Sequence, residues 1–413
     1  KLPDRVVVPV TEIEPRISSL AIANAKTRAE GLIERPSTVV FRNERLELGP
    51  NVMRRALRFR RAGREIAVDL ETQPFARPLR RSFRKFERAP VDAGFELEGN
   101  RVRVVESKDG RRLAVAATVD SILAAGGSIE VEVVFRPHEP ALTTAKAEDL
   151  GIKVPVGGFT TEFACCPPRV TNIQRAAQIL SGVIIGPGET FSLNEELGER
   201  TKERGFVAAP MIGEGGKLVD AVGGGISQIA TTIFNAAFFS GLELITHTPH
   251  SFYISRYPEG REATVSWGGP ELIFRNDWPT AIYVFVDASD TAVTVRFYSS
   301  RLARRVETTT GERFDRIRAR TVEEENEDLD PGERKLIQQG GTPGFTVVYT
   351  RQVFRGEELL RDERWTTRYD PANTIVEVAP QQEESLDEGE TEMGSAVEQE
   401  ASIGDSMPPA DPA

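Results

Sequence analysis

The chain has 413 residues and a formal net charge of −11 at pH 7, and this length predicts two or three domains, each with its own hydrophobic core. Residues 379–413 contain ten Asp or Glu and no Lys or Arg, so the rest of the chain has a net charge of only −1. The acidity therefore identifies no partner for the folded part, and the lack of an apolar window of about 18 residues excludes a membrane-spanning helix.

The first predicted domain, residues 15–140, combines helices and strands. Apolar residues at three- and four-residue steps predict a helix over 16–32, and short strand-like runs predict strands at 38–41 and 45–48. Further helices are predicted at 50–59, 75–86 and 118–125, and further strands at 66–70, 95–97, 101–105, 113–116 and 128–135. The pattern is typical of a compact α+β domain.

Basic residues concentrate in residues 54–88, which hold twelve Arg or Lys against four acids. Such a face attracts an anionic polymer or lipid headgroups; the alternative is a solvated helical face without a partner. The charge is accompanied by no helix-turn-helix, zinc-finger or aromatic ribonucleoprotein pattern, so nucleic acid is not predicted as a partner.

The rest of the chain is predicted to form a linker at 141–158, a second domain at 159–300, a small β-rich module at 302–379 and a disordered acidic tail at 380–413. In the second domain a helix at 170–180 and a glycine-entry helix at 223–239 precede five strands. Those strands are predicted at 252–256, 263–267, 272–275, 281–287 and 292–297. The predicted fold class is thus multidomain α+β, with helices on an antiparallel sheet in the central domain.

The glycine-entry helix is the most informative segment, since Gly223-Gly-Gly-Ile-Ser-Gln228 leads directly into a helix that is apolar nearly all round. A helix start presents unpaired N–H groups and a partial positive charge. Ser227 is therefore placed as a nucleophile or as a contact to an anionic group would be. The alternative is a buried helix whose start is capped by Ser227.

One hypothesis for this segment is acyl transfer. His250, in the connection after the helix, would activate Ser227, and Glu262, Asn276 or Asp277 would orient the histidine. Backbone N–H groups around Gly225 and Ser227, or the side chain of Gln228, would stabilise the oxyanion.

A second hypothesis is binding without catalysis. Hydrogen-bonding side chains on neighbouring elements suit sugar hydroxyls, peptide amides and a terminal carboxylate, which an arginine clamps in bidentate fashion. The candidate ligand-binding residues are Gly224, Gly225, Gln228, Thr231, Thr232, Asn235, Ser251, Tyr253 and Arg256. The alternative for Arg256 is a surface ion pair with Glu259 or Glu262.

Metal and cofactor binding are not predicted, because no closely spaced histidine–carboxylate motif occurs. The two cysteines, Cys165 and Cys166, are adjacent, so both two buried free thiols and a strained disulfide are possible.

The chain shows no signal peptide and begins with Lys, so we expect that an upstream segment was removed and that any membrane attachment runs through it.

Residues across the second domain resemble the VanW family, which takes its name from an accessory gene product of vancomycin-resistance clusters. The matching segments are 169–173, 186–192, 198–201, 205–206, 223–235, 250–251, 257–265 and 274–276. Residues 15–140 are similar to the peptidoglycan-binding domain that often precedes VanW domains, through Pro90-Val-Asp-Ala-Gly-Phe95 and through layout. Residues 302–379 resemble the extracellular module named for its five glycines, through segments 331–334, 340–344 and 369–371.

Many VanW-family members have cysteine in a Gly-Gly-Gly-X-Cys-Gln pattern where this chain has Ser227. Serine has a far higher pKa than cysteine and needs a stronger base, so the substitution favours binding, or a serine variant of the reaction, over thiol chemistry. The resemblance implies an extracytoplasmic, cell-envelope protein, secreted or membrane-anchored. It would bind peptidoglycan or its stem peptide, with an accessory role in envelope maintenance or glycopeptide response; a peptidoglycan amidase, peptidase or transpeptidase and a non-catalytic envelope scaffold are the alternatives.

Overall fold

The computed structural model describes residues 16–35, 37–127, 130–163, 167–212 and 218–380. The fold is multidomain α+β, as the sequence predicts. The chain divides into two compact units, one formed by Lys1–Arg318 and Pro343–Ala372 and the other by Ala319–Thr342 and Asn373–Ala413. Cys165, Cys166 and the predicted acidic tail from 381 onward lie outside the described residues.

The N-terminal region contains four helices and nine short strands among its described residues. They are α1 (Ser19–Glu34), β1 (Ser37–Phe41), β2 (Glu44–Leu48), α2 (Pro50–Ala56), β3 (Leu57–Ala62), β4 (Glu65–Leu70), α3 (Gln73–Phe83), β5 (Gly94–Glu98), β6 (Arg101–Val105), β7 (Gly110–Leu113), α4 (Val115–Ala125), β8 (Glu130–Glu132) and β9 (Phe135–His138). Strands pair in the order β2-β1-β8 and as β3–β4, β5–β6 and β7–β9. The predicted helix 50–59 is too long, since its last three residues belong to β3.

Helix α3 supplies three residues to the main hydrophobic cluster of this region. Phe75, Leu79 and Phe83 recur every four residues and are fully buried, because that spacing places them on one face of a helix. They pack in the same hydrophobic cluster as Met53 and Ile122. The basic side chains of α3 are left on the solvent-facing side.

The central region is built from the following elements: α5 (Thr144–Asp149), β10 (Val154–Glu162), α6 (Pro167–Leu180), β11 (Ile184–Ile185), β12 (Thr190–Ser192), α7 (Leu193–Leu197), β13 (Ala208–Ile212), β14 (Leu218–Val222), α8 (Ile226–Phe239), β15 (Glu243–Thr246), β16 (Ile273–Arg275), β17 (Ile282–Ala288) and β18 (Ala292–Ser299). The main sheet has the order β10-β18-β17-β11, and a smaller one has the order β12-β16-β15. Helix α8 packs against β10 and β18, in the largest core cluster.

The structure corrects three expectations in this region. The segment predicted as a linker, 141–158, carries α5 and the first half of β10, which pairs with β18. The predicted strands 252–256 and 263–267 do not form, because those residues connect β15 to β16 as irregular chain. Ala263 and Val265 of the second segment are nonetheless buried, as is Tyr257 between the two segments.

The predicted module 302–379 is divided between the two units. Strands β19 (Arg304–Thr310), β20 (Phe314–Ile317), β23 (Gly344–Arg355) and β24 (Glu358–Tyr369) form a sheet within the first unit. Strands β21 (Thr321–Glu325), β22 (Arg334–Gln338) and β25 (Thr374–Val378) form the sheet of the second unit. Tyr349 and Trp365 of the first sheet pack in the core cluster of α8. Within the described ranges, no helix is both long enough and apolar enough to cross a membrane.

Candidate functional site

Gly225, rather than Ser227, is the N-cap of α8. Its backbone is left-handed, with φ of 97°, and no side chain caps the helix, so the expected cap by Ser227 is wrong. A Cβ on Gly224 would lie 2.1 Å from the backbone oxygen of Ala209, which explains why a residue without a side chain is needed there. Ser227 follows in the first turn, partly exposed, and its hydroxyl makes no hydrogen bond to the residues that the structure describes.

Gln228 ties the start of α8 to three other segments. Its Oε1 accepts hydrogen bonds from Arg169 Nη2 at 2.8 Å and from the Tyr257 hydroxyl at 3.1 Å. Its Nε2 donates to Thr161 Oγ1 at 2.6 Å. The side chain is fully buried, so both ends of the amide are used to hold the interior together. The predicted roles of Gln228 in ligand binding and in an oxyanion hole find no open position in this geometry.

The other polar side chains of α8 are also buried and engaged within the protein. The Thr231 hydroxyl accepts from Ala263 N at 3.1 Å, and Thr232 Oγ1 lies 2.6 Å from Thr161 Oγ1. Asn235 Nδ2 donates to the carbonyl oxygens of Thr231 and Arg261, at 2.9 Å each. All three residues are fully buried. Thr231 and Asn235 bond backbone groups of the irregular segment beside the helix, and Thr232 bonds β10, so these groups are used inside the protein rather than facing a ligand.

His250 and Glu262 meet in the interior, although the chain between them forms no regular element. His250 Nδ1 lies 2.5 Å from Glu262 Oε2, and both side chains are buried. The second carboxylate oxygen, Oε1, accepts a hydrogen bond from the Tyr369 hydroxyl, and that hydroxyl accepts from Gly260 N at 2.8 Å. The His250 ring also stacks on Tyr257, with ring centroids 5.4 Å apart. The carboxylate therefore fixes the orientation of the imidazole.

Of the three residues considered as partners of His250, only Glu262 reaches it. Asn276 Nδ2 instead donates to the carbonyl oxygen of Ile185 at 2.9 Å. Asp277 accepts hydrogen bonds from Arg304 and Arg361. Burial alone would raise the pKa of Asp277, but these two guanidinium groups outweigh it and lower the pKa. Both residues therefore stabilise the fold away from His250.

The remaining predicted ligand-binding residues do not form one surface with α8. Ser251 is exposed, and its carbonyl oxygen accepts from Asp370 N at 2.7 Å. Tyr253 packs edge-on against Phe345, with ring centroids 5.4 Å apart, and burial raises the pKa of its hydroxyl. Arg256 is exposed and lies 5.2 Å from the centroid of the Tyr257 ring. It pairs with neither Glu259 nor Glu262, because Glu259 binds Arg313 and Glu262 binds His250.

The sequence analysis missed Arg169, Tyr257 and Tyr369 as parts of this network. Tyr257 and Glu262 share one of the segments that resemble the VanW family, so that segment signals them together. Tyr369 lies 107 residues beyond Glu262, and no local pattern links the two. Among the described residues no group of three His, Cys, Asp or Glu is placed to hold a metal ion.

Comparisons with known proteins agree with this organisation. A family model described as "VanW like protein" matches residues 168–298, and one described as "Putative peptidoglycan binding domain" matches residues 51–130. The site network is contained in the first match except for Thr161 and Tyr369. The two matches together indicate a protein associated with the cell wall.

Two curated relatives are similar over long segments. "Uncharacterized protein YoaR" of Bacillus subtilis is 28% identical over 56% of this chain and 76% of its own length. "Vancomycin B-type resistance protein VanW" of Enterococcus faecalis is 27% identical over 32% of this chain and 50% of its own length. The chain thus spans half the length of the latter protein.

Two solved G5 domains match about a fifth of the chain. The IgA1 protease G5 domain is 26% identical over 20% of this chain and 93% of its own, with a TM-score of 0.13. The HP0197 G5 domain is 15% identical over 19% and 100%, with a TM-score of 0.11. Scores this low carry no argument about the fold, so the resemblance of residues 302–379 to that module stays a prediction. From the two domain matches and the two relatives, residues 168–298 are a VanW-like domain, and this domain follows a domain of the peptidoglycan-binding type at residues 51–130.

Proposed function

We propose that this protein is extracytoplasmic and binds peptidoglycan through its N-terminal domain, with anionic wall polymer as a second partner on the basic face of residues 54–88. The VanW domain would bind a further wall component, in an accessory role in envelope maintenance or in the response to glycopeptides. The match of residues 51–130 to a peptidoglycan-binding family supports the first part.

The observation that carries the proposal is the exposure of the basic face. All twelve basic side chains of residues 54–88 are exposed. Ion pairs engage Arg58, Arg60 and Lys85, so within this fully described segment nine arginines have no ion-pair partner. Exposed charges without an ion-pair partner attract a polyanion, and this attraction weakens as salt screens it.

Helix α3 offers the sharpest test of this surface. Arg77, Arg80, Arg81 and Arg84 follow at helical spacing on the side opposite the buried Phe75 and Phe83. Charge reversal of three of them (Arg77→Glu, Arg80→Glu, Arg84→Glu) leaves the core intact. A matched control reverses three exposed arginines far along the chain (Arg316→Glu, Arg318→Glu, Arg320→Glu).

The measurement is retention on purified cell-wall sacculi over a salt series, with and without acid extraction of the anionic polymer. We expect the control to bind like the parent protein and the α3 variant to lose the salt-sensitive part of binding. No retention of the parent protein on either preparation at moderate salt would refute peptidoglycan binding. Equal retention of both variants would refute the role of the basic face.

A second candidate, acyl transfer on peptidoglycan stem peptides, is favoured by one observation. His250 Nδ1 is held by Glu262, and its Nε2 makes no hydrogen bond to the described residues. An imidazole in this state is able to accept the proton of a serine nucleophile. The Ser227 hydroxyl is not hydrogen-bonded to it, so Ser227 and His250 would have to approach when substrate binds.

Labelling with a serine-directed acylating probe, followed by peptide mass spectrometry, tests this candidate. We expect a Ser227 adduct in the parent protein, none in Ser227→Ala, and slower labelling in His250→Ala. An adduct absent from Ser227 would leave binding, or an envelope scaffold, as the role of the domain. The closed packing of Gln228 and Thr231, which a scaffold predicts, already favours the non-catalytic proposals over this one.

A further inference from the structure

A cleft on the VanW domain lies apart from the His250 network and from the basic face. It has a volume of about 730 Å³, and its lining includes Thr190, Ser192, Asn194, Glu195, Trp267 and Glu271. This volume is within the range of roughly 300–1,000 Å³ for small-molecule sites. These residues come from β12, α7 and the chain between Ser266 and β16, so three segments converge on it.

Trp267 is the aromatic residue of the cleft, and 53% of its surface is exposed. The other two tryptophans are different, since Trp278 is 3% exposed and Trp365 packs against the α8 core. Trp267 is held in a tight turn in which Ser266 N donates to Pro270 O at 3.0 Å. The Arg200 guanidinium lies 5.9 Å from its ring centroid. An exposed aromatic face fixed in this way is suited to stacking on a flat apolar surface of a ligand.

The polar groups beside Trp267 are held in place by the protein. Glu271 Oε1 accepts hydrogen bonds from the backbone N–H groups of Leu272, at 2.8 Å, and Asn194, at 3.1 Å. Glu271 Oε2 accepts from Ser192 Oγ at 3.3 Å. A carboxylate has about four acceptor positions, so Glu271 keeps capacity for a ligand donor. Preorganised acceptors of this kind reduce the entropy that binding costs.

Asn194 connects this carboxylate to the aromatic residue. Its Nδ2 donates to Ser266 O at 3.0 Å, and its Oδ1 accepts from Arg200 Nη1 at 2.6 Å. Arg200 and Asn194 are each more than nine-tenths buried. The stacking surface and the acceptors are therefore fixed relative to one another.

The charge of the lining selects among wall components. Glu195 and Glu271 contribute carboxylates, and neither lysine nor arginine lines the cleft. An anionic polymer or a peptide carboxylate is repelled by such a surface, whereas hydroxyl and amide N–H donors bind to it. Sugar rings combine those donors with apolar C–H faces that stack on an indole.

We propose that this cleft binds the glycan part of the wall, a chain of neutral N-acetylated amino sugars, by stacking on Trp267 and hydrogen bonding to Glu271 and Glu195. This inference rests on the proposed function, because it assigns to the VanW domain the sugar chain of the same polymer. It would also separate the two partners of the protein, with anionic polymer on the basic face and neutral glycan in the cleft.

The test is titration of the full chain with a soluble β-1,4-linked oligomer of N-acetylglucosamine, followed by tryptophan fluorescence and by acrylamide quenching. We expect a saturable blue shift and protection from quenching, both lost in Trp267→Ala and retained in Trp365→Phe. Direct binding measured by calorimetry should weaken about tenfold or more in Trp267→Ala, a loss of about 1.4 kcal/mol. Glu195→Gln, which leaves the Glu271 hydrogen bonds intact, should weaken binding less.

No saturable response, or an unchanged affinity in Trp267→Ala, would overturn the glycan site. Displacement of the oligomer by a polyglycerol phosphate would also overturn it, because the cleft would then accept an anion. Retention of the whole chain on sacculi is scored separately. Retention without oligomer binding refutes the cleft alone, whereas loss of retention on sacculi refutes the proposed function itself.

Discussion

At the scale of single residues, Glu262 shows how a buried charge-bearing group is stabilised in this protein. Both of its carboxylate oxygens have hydrogen-bond partners, His250 on one side and Tyr369 on the other. A buried carboxyl group with both oxygens satisfied is tolerated, but its removal leaves two buried polar groups without a partner. Glu262 is therefore a structural residue whether or not His250 takes part in a reaction.

We expect Glu262→Ala to lower the free energy of unfolding by about 3–5 kcal/mol, the usual cost of breaking a buried pair. Glu259→Ala, which removes a carboxylate at the surface, should cost less than about 1 kcal/mol. Urea denaturation followed by circular dichroism measures both. Equal stability of the two variants would show that the His250–Glu262–Tyr369 contacts contribute little.

His247 makes the stability depend on pH. Burial, and secondarily the charge of Arg351, lower the pKa of His247 from 6.5 to about 4. In the unfolded chain His247 binds a proton below pH 6.5, whereas in the folded protein it does so only near pH 4. The folded state is therefore destabilised as the pH falls through this window, by roughly 3 kcal/mol in total.

In His247→Gln this loss of stability between pH 6.5 and about 4 should become smaller by that amount. The amide still reaches the Tyr349 hydroxyl, which lies 3.0 Å from His247 Nε2 in the parent protein. Unfolding free energies measured over a closely spaced pH series test the prediction. Identical slopes in the two proteins would contradict it.

At the scale of elements, helix α8 follows from its own sequence, which is apolar nearly all round. Its apolar residues predict a buried helix, and Ile229, Ile233 and Phe234 are indeed fully buried. Its end is stabilised from outside, because Arg351 donates to the carbonyl oxygens of Phe238 and Leu242 at 3.2 and 3.0 Å. The arginine thus adds a second hydrogen bond to Phe238 O, which also accepts from Gly241 N at 3.1 Å, and ties the end of the helix to the chain that follows it.

The entry to α8 should tolerate no side chain at Gly224. A Cβ there would meet the backbone of Ala209 at 2.1 Å, so Gly224→Ala should cost about 1–3 kcal/mol through overpacking. Gly49 is the N-cap of α2, and a Cβ added to it would have no atom within 4 Å. Gly49→Ala should therefore cost less than about 1 kcal/mol. Thermal unfolding of the pair compares the two, and an equal shift would refute a steric role for Gly224.

At the scale of the whole molecule, strands beyond the VanW match complete its core. Tyr349 and Trp365 pack in the cluster of α8, and Tyr369 reaches Glu262. Asp277, inside the match, is held by Arg304 and Arg361, outside it. The boundary near residue 300 that the sequence suggests therefore cuts through a shared core rather than between independent domains.

A chain ending at residue 300 should fold poorly for this reason. It loses the buried Arg351, leaves Asp277 without Arg304 and Arg361, and leaves Glu262 without Tyr369, so we expect its Tm to fall by at least about 10 °C. Differential scanning calorimetry together with binding of a hydrophobic dye measures the effect. A truncated chain with the Tm of the full protein would show that the VanW match folds independently.

The sequence by itself determined those helices and strands that follow from a local pattern of apolar residues. The period of apolar residues predicted α1 and α6, and alternation predicted β17 and β18, because 3.6- and 2-residue periods place side chains on one face. Helix α8 was predicted from its glycine entry and from a sequence that is apolar nearly all round. The family resemblance rests on the same local segments. Glu262 was also among the residues considered for His250, since both lie in the connection after α8.

Only the tertiary structure decided which polar residues face a partner and which face the interior. Gln228, Thr231, Thr232 and Asn235 have the pattern of ligand contacts in the sequence, yet they are buried and hydrogen-bonded. Tyr369 joins the site from 107 residues away, and the cleft beside Trp267 exists only where β12, α7 and β16 converge. The burial of a side chain and its hydrogen-bond partners depend on contacts between segments that are far apart in the sequence. The hydrophobic period of one segment therefore does not predict them.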